Sequence, residues 1–254
     1  MKKSSLAAAA SMLGLISIMT PIANLRAAEL KVLAGGSMTG PLNEIAPLFE
    51  RASGHKLTLH FDSTPNLIKL ATSGAAFDLG VVPVDVFKDT DAKARFAPGA
   101  PIDIARVGYG VAVRAGAARP DVSTPDALKK TLLDAQSVAF LPTSAAGAYV
   151  TSVFDRLGIG EAMRAKTKPQ TATGQIAQAV AKGEAELGVF LINVLMAPGV
   201  ELAGSFPAEL QQELVFTAAV AADSKEADAA KAFIDFLRTP EATAVIKAKG
   251  LNPG

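Results

Sequence analysis

An α/β layer architecture is predicted by three features of the 254-residue chain. Short β-like runs alternate with helical patterns after residue 28, several runs end in Gly/Ser/Thr loops that open directly into a helix, and no repeat or low-complexity tract interrupts the alternation. The elements follow in order. Lys31 to Ala34 is a short strand leading through Gly35-Gly36-Ser37-Met38-Thr39-Gly40 to Pro41, after which Leu42, Ile45, Ala46 and Phe49 fall on one helix face. A hydroxyl residue followed by proline marks a helix start.

Leu57, Leu59 and Phe61 alternate as a half-buried strand, and Asp62-Ser63-Thr64-Pro65 opens a second helix carrying Leu67, Leu70 and Ala71. Phe77 to Val82 is a third strand. Val107, Tyr109, Val111 and Val113 alternate as one longer strand, with Gly108 and Gly110 on its other face. A helix opens at Thr124-Pro125, a strand covers Ser137 to Leu141, and a helix carries Val150, Val153, Phe154 and Leu157 before Gly158. A helix near Gln175 to Lys182 stops at Gly183, Leu187 to Leu191 and Leu214 to Val220 are buried-type strands, and two helices close the chain around Pro240, ending near Gly250.

The first 28 residues read as an export signal: Lys2 and Lys3, a mostly apolar stretch from Leu6 to Ile22, and the exit Arg26-Ala27-Ala28, with cleavage after Ala27 or Ala28. Its removal takes Lys2, Lys3 and Arg26 from the 25 basic residues and nothing from the 24 acidic ones, leaving 22 against 24. A slightly acidic chain without a Lys/Arg run argues against nucleic acid and anionic membrane as partners. The absence of cysteine excludes thiol catalysis, thiolate metal sites and lipoprotein anchoring, and His55 and His60 are too few for a His-rich metal site. No later segment is long and apolar enough to span a membrane, so a soluble periplasmic protein is expected.

The chemistry concentrates in two loops, Gly36-Ser37-Met38-Thr39 and Asp62-Ser63-Thr64, each between a strand's carboxyl end and a helix start. The first turn of a helix leaves amides unpaired and carries roughly half a positive charge, so such ends hold an anion without lysine or arginine. The plainer reading of each loop is an ordinary N-cap. Two in succession, at the edge where α/β sheets bind ligands, favour a binding role.

With these loops the chain resembles the periplasmic solute receptors of ABC importers with the type II fold, closest to the molybdate and tungstate receptors. The resemblance rests on Val32-Leu33-Ala34-Gly35-Gly36-Ser37-Met38, Leu59-His60-Phe61-Asp62-Ser63-Thr64, Ala145-Ala146-Gly147-Ala148-Tyr149 and Lys182-Gly183-Glu184-Ala185-Glu186-Leu187-Gly188-Val189, in that order over nearly all of the chain after residue 28. It implies a two-lobed fold with two crossing strands as hinge, near Val107 to Val113 and Leu214 to Val220. Residues 29–106 plus 215–254 would form one lobe and 107–214 the other. The implied ligand shell takes Ser37 and Thr64 as hydroxyl contacts and Ala146 and Thr173 as amide donors, with Met38, Ser63 and Gly147 beside them.

The sequence departs from the family at two places. Leu191 stands where the family has a tyrosine hydroxyl, and Asp62 where it has a small neutral residue. Arg106 and Arg114 flank the Tyr109 strand, as a carboxylate clamp or as surface ion pairs. His55 and His60 read as exposed strand-side residues, Tyr149 as a packing or capping residue, and 222–228 as a solvated helix start. A Ser-His-Asp hydrolase lacks its glycine-x-serine-x-glycine elbow.

The expected function is the substrate-binding component of an importer, monomeric, taking a small oxyanion or organic anion to an inner-membrane ABC permease. No cofactor, metal or catalytic residue is implied. The alternative is a periplasmic isomerase of a small tricarboxylate, since aconitate isomerase also resembles this family; Asp62 would then be the base.

Overall fold

The computed structural model describes residues 27–254, so the export signal lies outside the described residues except for Ala27 and Ala28. In chain order the elements are β1 (Glu29–Gly35), α1 (Thr39–Ser53), β2 (Lys56–Asp62), α2 (Thr64–Thr72), β3 (Leu79–Pro83), α3 (Thr90–Lys93), β4 (Ile102–Val107) and β5 (Tyr109–Arg114). There follow α4 (Pro125–Asp134), β6 (Val138–Phe140), α5 (Ala145–Arg156), α6 (Gly160–Lys166), β7 (Thr167–Pro169), α7 (Thr173–Ala181), β8 (Leu187–Leu191) and α8 (Ile192–Leu195). The chain ends with β9 (Val200–Ser205), β10 (Leu214–Val220), α9 (Ala227–Phe236), α10 (Pro240–Ala248) and β11 (Asn252–Pro253).

The strands form two sheets, ordered β11-β4-β10-β3-β1-β2 and β7-β6-β8-β5-β9. In the first, β1 pairs in parallel with β2 and β3, and β10 lies antiparallel between β3 and β4. In the second, β6 is parallel to β7 and β8, while β5 is antiparallel to β8 and β9. The chain passes between the sheets twice, from β4 to β5 through Gly108 and from β9 to β10 through residues 206–213.

The expected single strand over 107–113 is therefore two strands in two sheets. Val107 pairs with Leu214 in the first sheet and Tyr109 with Leu191 in the second. Both flanks are buried strands, so the period-2 pattern runs through the junction without registering the change of partner.

Helix α1 buries Leu42, Ile45, Ala46 and Phe49 as their spacing predicts, and terminates at Gly54, which has a positive φ of 77°. The Phe49 ring lies 4.9 Å from that of Phe233 and 5.5 Å from that of Phe236, tying α1 to α9. Burying an aromatic ring of this kind contributes about 1.5–3 kcal/mol. His55 departs from the exposed position expected of it: it is buried, stacks on Phe49 and accepts the Ala28 N–H at Nδ1. The turn at Gly54 swings it beneath α1 before β2 begins.

Candidate functional site

A cavity of about 20 Å³ lies between the two sheets, bordered by Gly35–Ser37 after β1, Asp62–Thr64 after β2 and Pro83 at the end of β3. From the second sheet come Leu141 and Ser144 after β6, Ala146, Thr173 and Phe190; Leu214 and Phe216 of β10 complete the lining. This is the carboxyl-end edge at which open α/β sheets bind ligands.

One 3-10 turn and three helix starts converge here. Ser37, buried, sits in the 3-10 turn that leads into α1. Thr64, also buried, is the first residue of α2, which has Ser63 as N-cap and proline at its start. Ala146 lies in the first turn of α5, and Thr173 begins α7. Helix geometry leaves first-turn amides without carbonyl partners, so α2, α5 and α7 turn donors and the positive ends of their dipoles toward the cavity. No lysine, arginine or histidine is among the described residues lining it.

Ser144 caps α5: its Oγ accepts the Gly147 N–H at 3.0 Å and donates to the Leu141 carbonyl at 2.9 Å. The sequence reading missed Ser144, although a hydroxyl residue directly before a helix is the same signal that marked the two earlier loops.

Two expected contacts do not line the cavity. Met38 is fully buried in the hydrophobic core, because the 3-10 turn directs its side chain inward beneath α1. Gly147 spends its amide on the Ser144 cap, and a Cβ there would collide with the Leu141 carbonyl oxygen. Its glycine identity serves close packing of α5 on the β6 loop. Ser37, Ser63, Thr64, Ala146 and Thr173 do line the cavity.

Leu191 is buried, opposite Tyr109 across the β5–β8 ladder, and its neighbour Phe190 lines the cavity in its stead. Asp62 borders the cavity, but its carboxylate is engaged in its own loop. Oδ1 accepts the Ser63 N–H and the Asn66 side-chain amide, both at 2.7 Å, and Oδ2 lies 3.6 Å from His60 Nε2. Arg106 pairs with Asp103 at 3.0 Å, half-exposed, and Arg114 lies exposed at the end of β5. Tyr149 packs against Tyr109 and donates its hydroxyl to the Leu210 carbonyl at 2.8 Å.

Two side chains bridge the sheets at the cavity's rim. Thr173 Oγ1 donates to the Gly36 carbonyl at 3.3 Å, and Asn193 Nδ2 to the Ser37 carbonyl at 2.7 Å. Outside this rim lies a wider pocket of about 430 Å³ that shares Gly36, Ser37 and Thr173 and reaches Met196 and Lys249. Lys249 is paired with Glu44 at 2.5 Å. Near the strand crossing, burial first and the Asp85 charge second push the Tyr109 hydroxyl far above its ordinary pKa, keeping it neutral.

Such a site suits a small anion enclosed by hydroxyls and amides. Residues 30–252 match the family model described as bacterial extracellular solute-binding protein. An aconitate isomerase from Pseudomonas sp is 32% identical over 234 residues, covering 88% of this chain and 87% of that protein. The molybdate-binding protein ModA of Azotobacter vinelandii is 30% identical over 231 residues, covering 89% and 90%. The solved periplasmic molybdate-binding protein of Azotobacter vinelandii superposes with a TM-score of 0.73 at 22% identity, covering 87% of this chain and 98% of that one. The chain belongs to the bacterial extracellular solute-binding proteins.

Proposed function

We propose that the protein works outside the cytoplasm, as a monomer, as the substrate-binding component of an ABC importer, and that its ligand is a small oxyanion of the molybdate or tungstate kind. The observation that carries this reading is the convergence of helix starts and hydroxyls on a cavity of about 20 Å³ with no cationic side chain among the described residues that line it. Short hydroxyl residues and helix starts, with no guanidinium or ammonium among the described residues lining the cavity, suit a compact oxyanion better than a six-carbon tricarboxylate, whose carboxylates call for bidentate cationic clamps. In this reading Ser37, Ser63 and Thr64 offer hydroxyls, the starts of α5 and α7 at Ala146 and Thr173 offer amides, and Met38 and Gly147 support the shell from behind. The lobes would follow the two sheets, residues 29–107 with 214–254 and residues 109–213, one residue beyond the expected bounds because Val107 and Leu214 pair in the first sheet, and would close about the two crossings by a hinge motion.

The test is a ligand panel followed by thermal unfolding. A ligand at a hundred times its dissociation constant stabilises the folded state by about 2.7 kcal/mol, so molybdate or tungstate should raise the midpoint clearly. Ser37→Ala combined with Thr64→Ala should remove the shift. No response to either ion, with a response to citrate or aconitate, would reject the oxyanion.

A second reading, an isomerase of a small tricarboxylate, is supported by the 32% identity to an aconitate isomerase. The engagement of Asp62 with Ser63, Asn66 and His60 weighs against that residue as its base. Incubation with trans-aconitate followed by NMR decides: a constant isomer ratio under saturating substrate excludes the activity.

A further inference from the structure

We propose that export processing cuts the chain between Ala27 and Ala28, and that the amine it frees is held by His55. Ala28 is 6% exposed and belongs to the hydrophobic core, whereas Ala27 is exposed. The Ala28 N–H donates to His55 Nδ1 at 3.1 Å, and the Ala28 carbonyl accepts the Lys56 N–H at 2.8 Å. Ala28 therefore already pairs with the start of β2, one residue ahead of the β1–β2 register that opens at Glu29 and Lys56.

His55 itself is 5% exposed, its ring against Phe49 at 6.0 Å. Its Nδ1 lone pair is the acceptor for the Ala28 amide. A cut after Ala28 would remove a donor and an acceptor together, leaving Nδ1 of a buried ring and the Lys56 amide unmet. A cut after Ala27 keeps both bonds. It replaces the amide donor by an ammonium, whose bond to Nδ1 is charge-assisted, and opens its remaining hydrogens to the solvent that Ala27 faces. Nearby charged groups are otherwise engaged: Lys56 Nζ with Glu50 at 2.9 Å, and Glu29 with the Thr58 hydroxyl at 3.1 Å. The leader agrees, since a cut after Ala27 places neutral Leu25 at the third position before the bond and a cut after Ala28 places charged Arg26 there. None of this depends on the ligand.

The test begins with the full chain, leader included, exported and purified, its first residue read by N-terminal sequencing and intact mass. Ala28 is expected; a chain that starts at Glu29 or retains its leader overturns the proposal. The role of His55 is read in a cycle of four proteins, the Ala28-start and Glu29-start chains, each with His55 and with His55→Ala. With His55 the Ala28-start form should melt higher, by about 2–4 °C or more. With His55→Ala that gap should narrow, keeping only the share that the Lys56 bond and the buried Ala28 methyl supply. Should His55→Ala fail to fold, His55→Asn, whose side-chain oxygen can also accept, replaces it and should retain part of the gap. A gap that is absent with His55, or unchanged without it, overturns the anchor.

Discussion

Gln211 clasps the backbone of Tyr109 from both sides, accepting its N–H at Oε1 (2.8 Å) and donating from Nε2 to its carbonyl (2.9 Å). The two residues stand on the two segments that pass between the sheets, so this one side chain does the work of a missing strand where they cross. Room for it exists because residue 108 is glycine: a Cβ there would lie 3.1 Å from the Gln211 amide.

Gln211→Ala should lower stability by about 1–3 kcal/mol, since it leaves the Tyr109 N–H without a partner in a buried position. The carbonyl keeps a second donor, the Phe206 N–H at 2.9 Å. Urea unfolding of the variant checks the loss.

Gly147→Ala puts a methyl group into the Leu141 carbonyl, a contact no rotamer relieves. The start of α5 must then shift, at about 1–3 kcal/mol or more. Guanidinium unfolding should show the destabilisation and calorimetry a weaker ligand affinity, because the same helix start borders the cavity.

Asn193→Ala removes the bond to the Ser37 carbonyl while sparing every group that lines the inner cavity. A bond worth about 1 kcal/mol corresponds to roughly fivefold weaker binding of the proposed oxyanion. Titration calorimetry measures it, and an unchanged affinity would show that this bond has no part in holding the ligand.

The Leu57 amide, followed by the Lys56 side chain, holds the Glu50 carboxyl below its ordinary value of 4.5. A depressed pKa contributes stability above the ordinary value that is lost as the pH falls through the folded-state value. Glu50→Gln should therefore be less stable than the parent near neutrality and lose less on acidification below 4.5. Urea midpoints recorded across that range test the convergence of the two curves.

The strand-to-helix loops at Ser37 and Thr64 were legible because each carries its own local signature, a hydroxyl residue with a proline close behind. The strands over 187–191 and 214–220 were legible from continuous apolar runs. What the chain hides is partnership. Nothing in Val107-Gly108-Tyr109 announces that its halves belong to different sheets, because the alternation is satisfied on either side. β9, Val-Glu-Leu-Ala-Gly-Ser, is half-buried along its length and shows no clean period. His55 looked exposed because its burial depends on Ala28 and Phe49, contacts that the turn at Gly54 creates. Met38 shares a loop with Ser37, yet neighbours in sequence point opposite ways from a tight turn.

With no lysine, arginine or histidine among the described residues lining it, the cavity answers an anion with fixed dipoles, and dipoles a few ångströms away in a desolvated site are little screened by mobile ions. The strength of capture should then be nearly indifferent to ionic strength. Titrations of an oxyanion at low and at high salt would then return nearly the same affinity, which a site built on arginine clamps would not do.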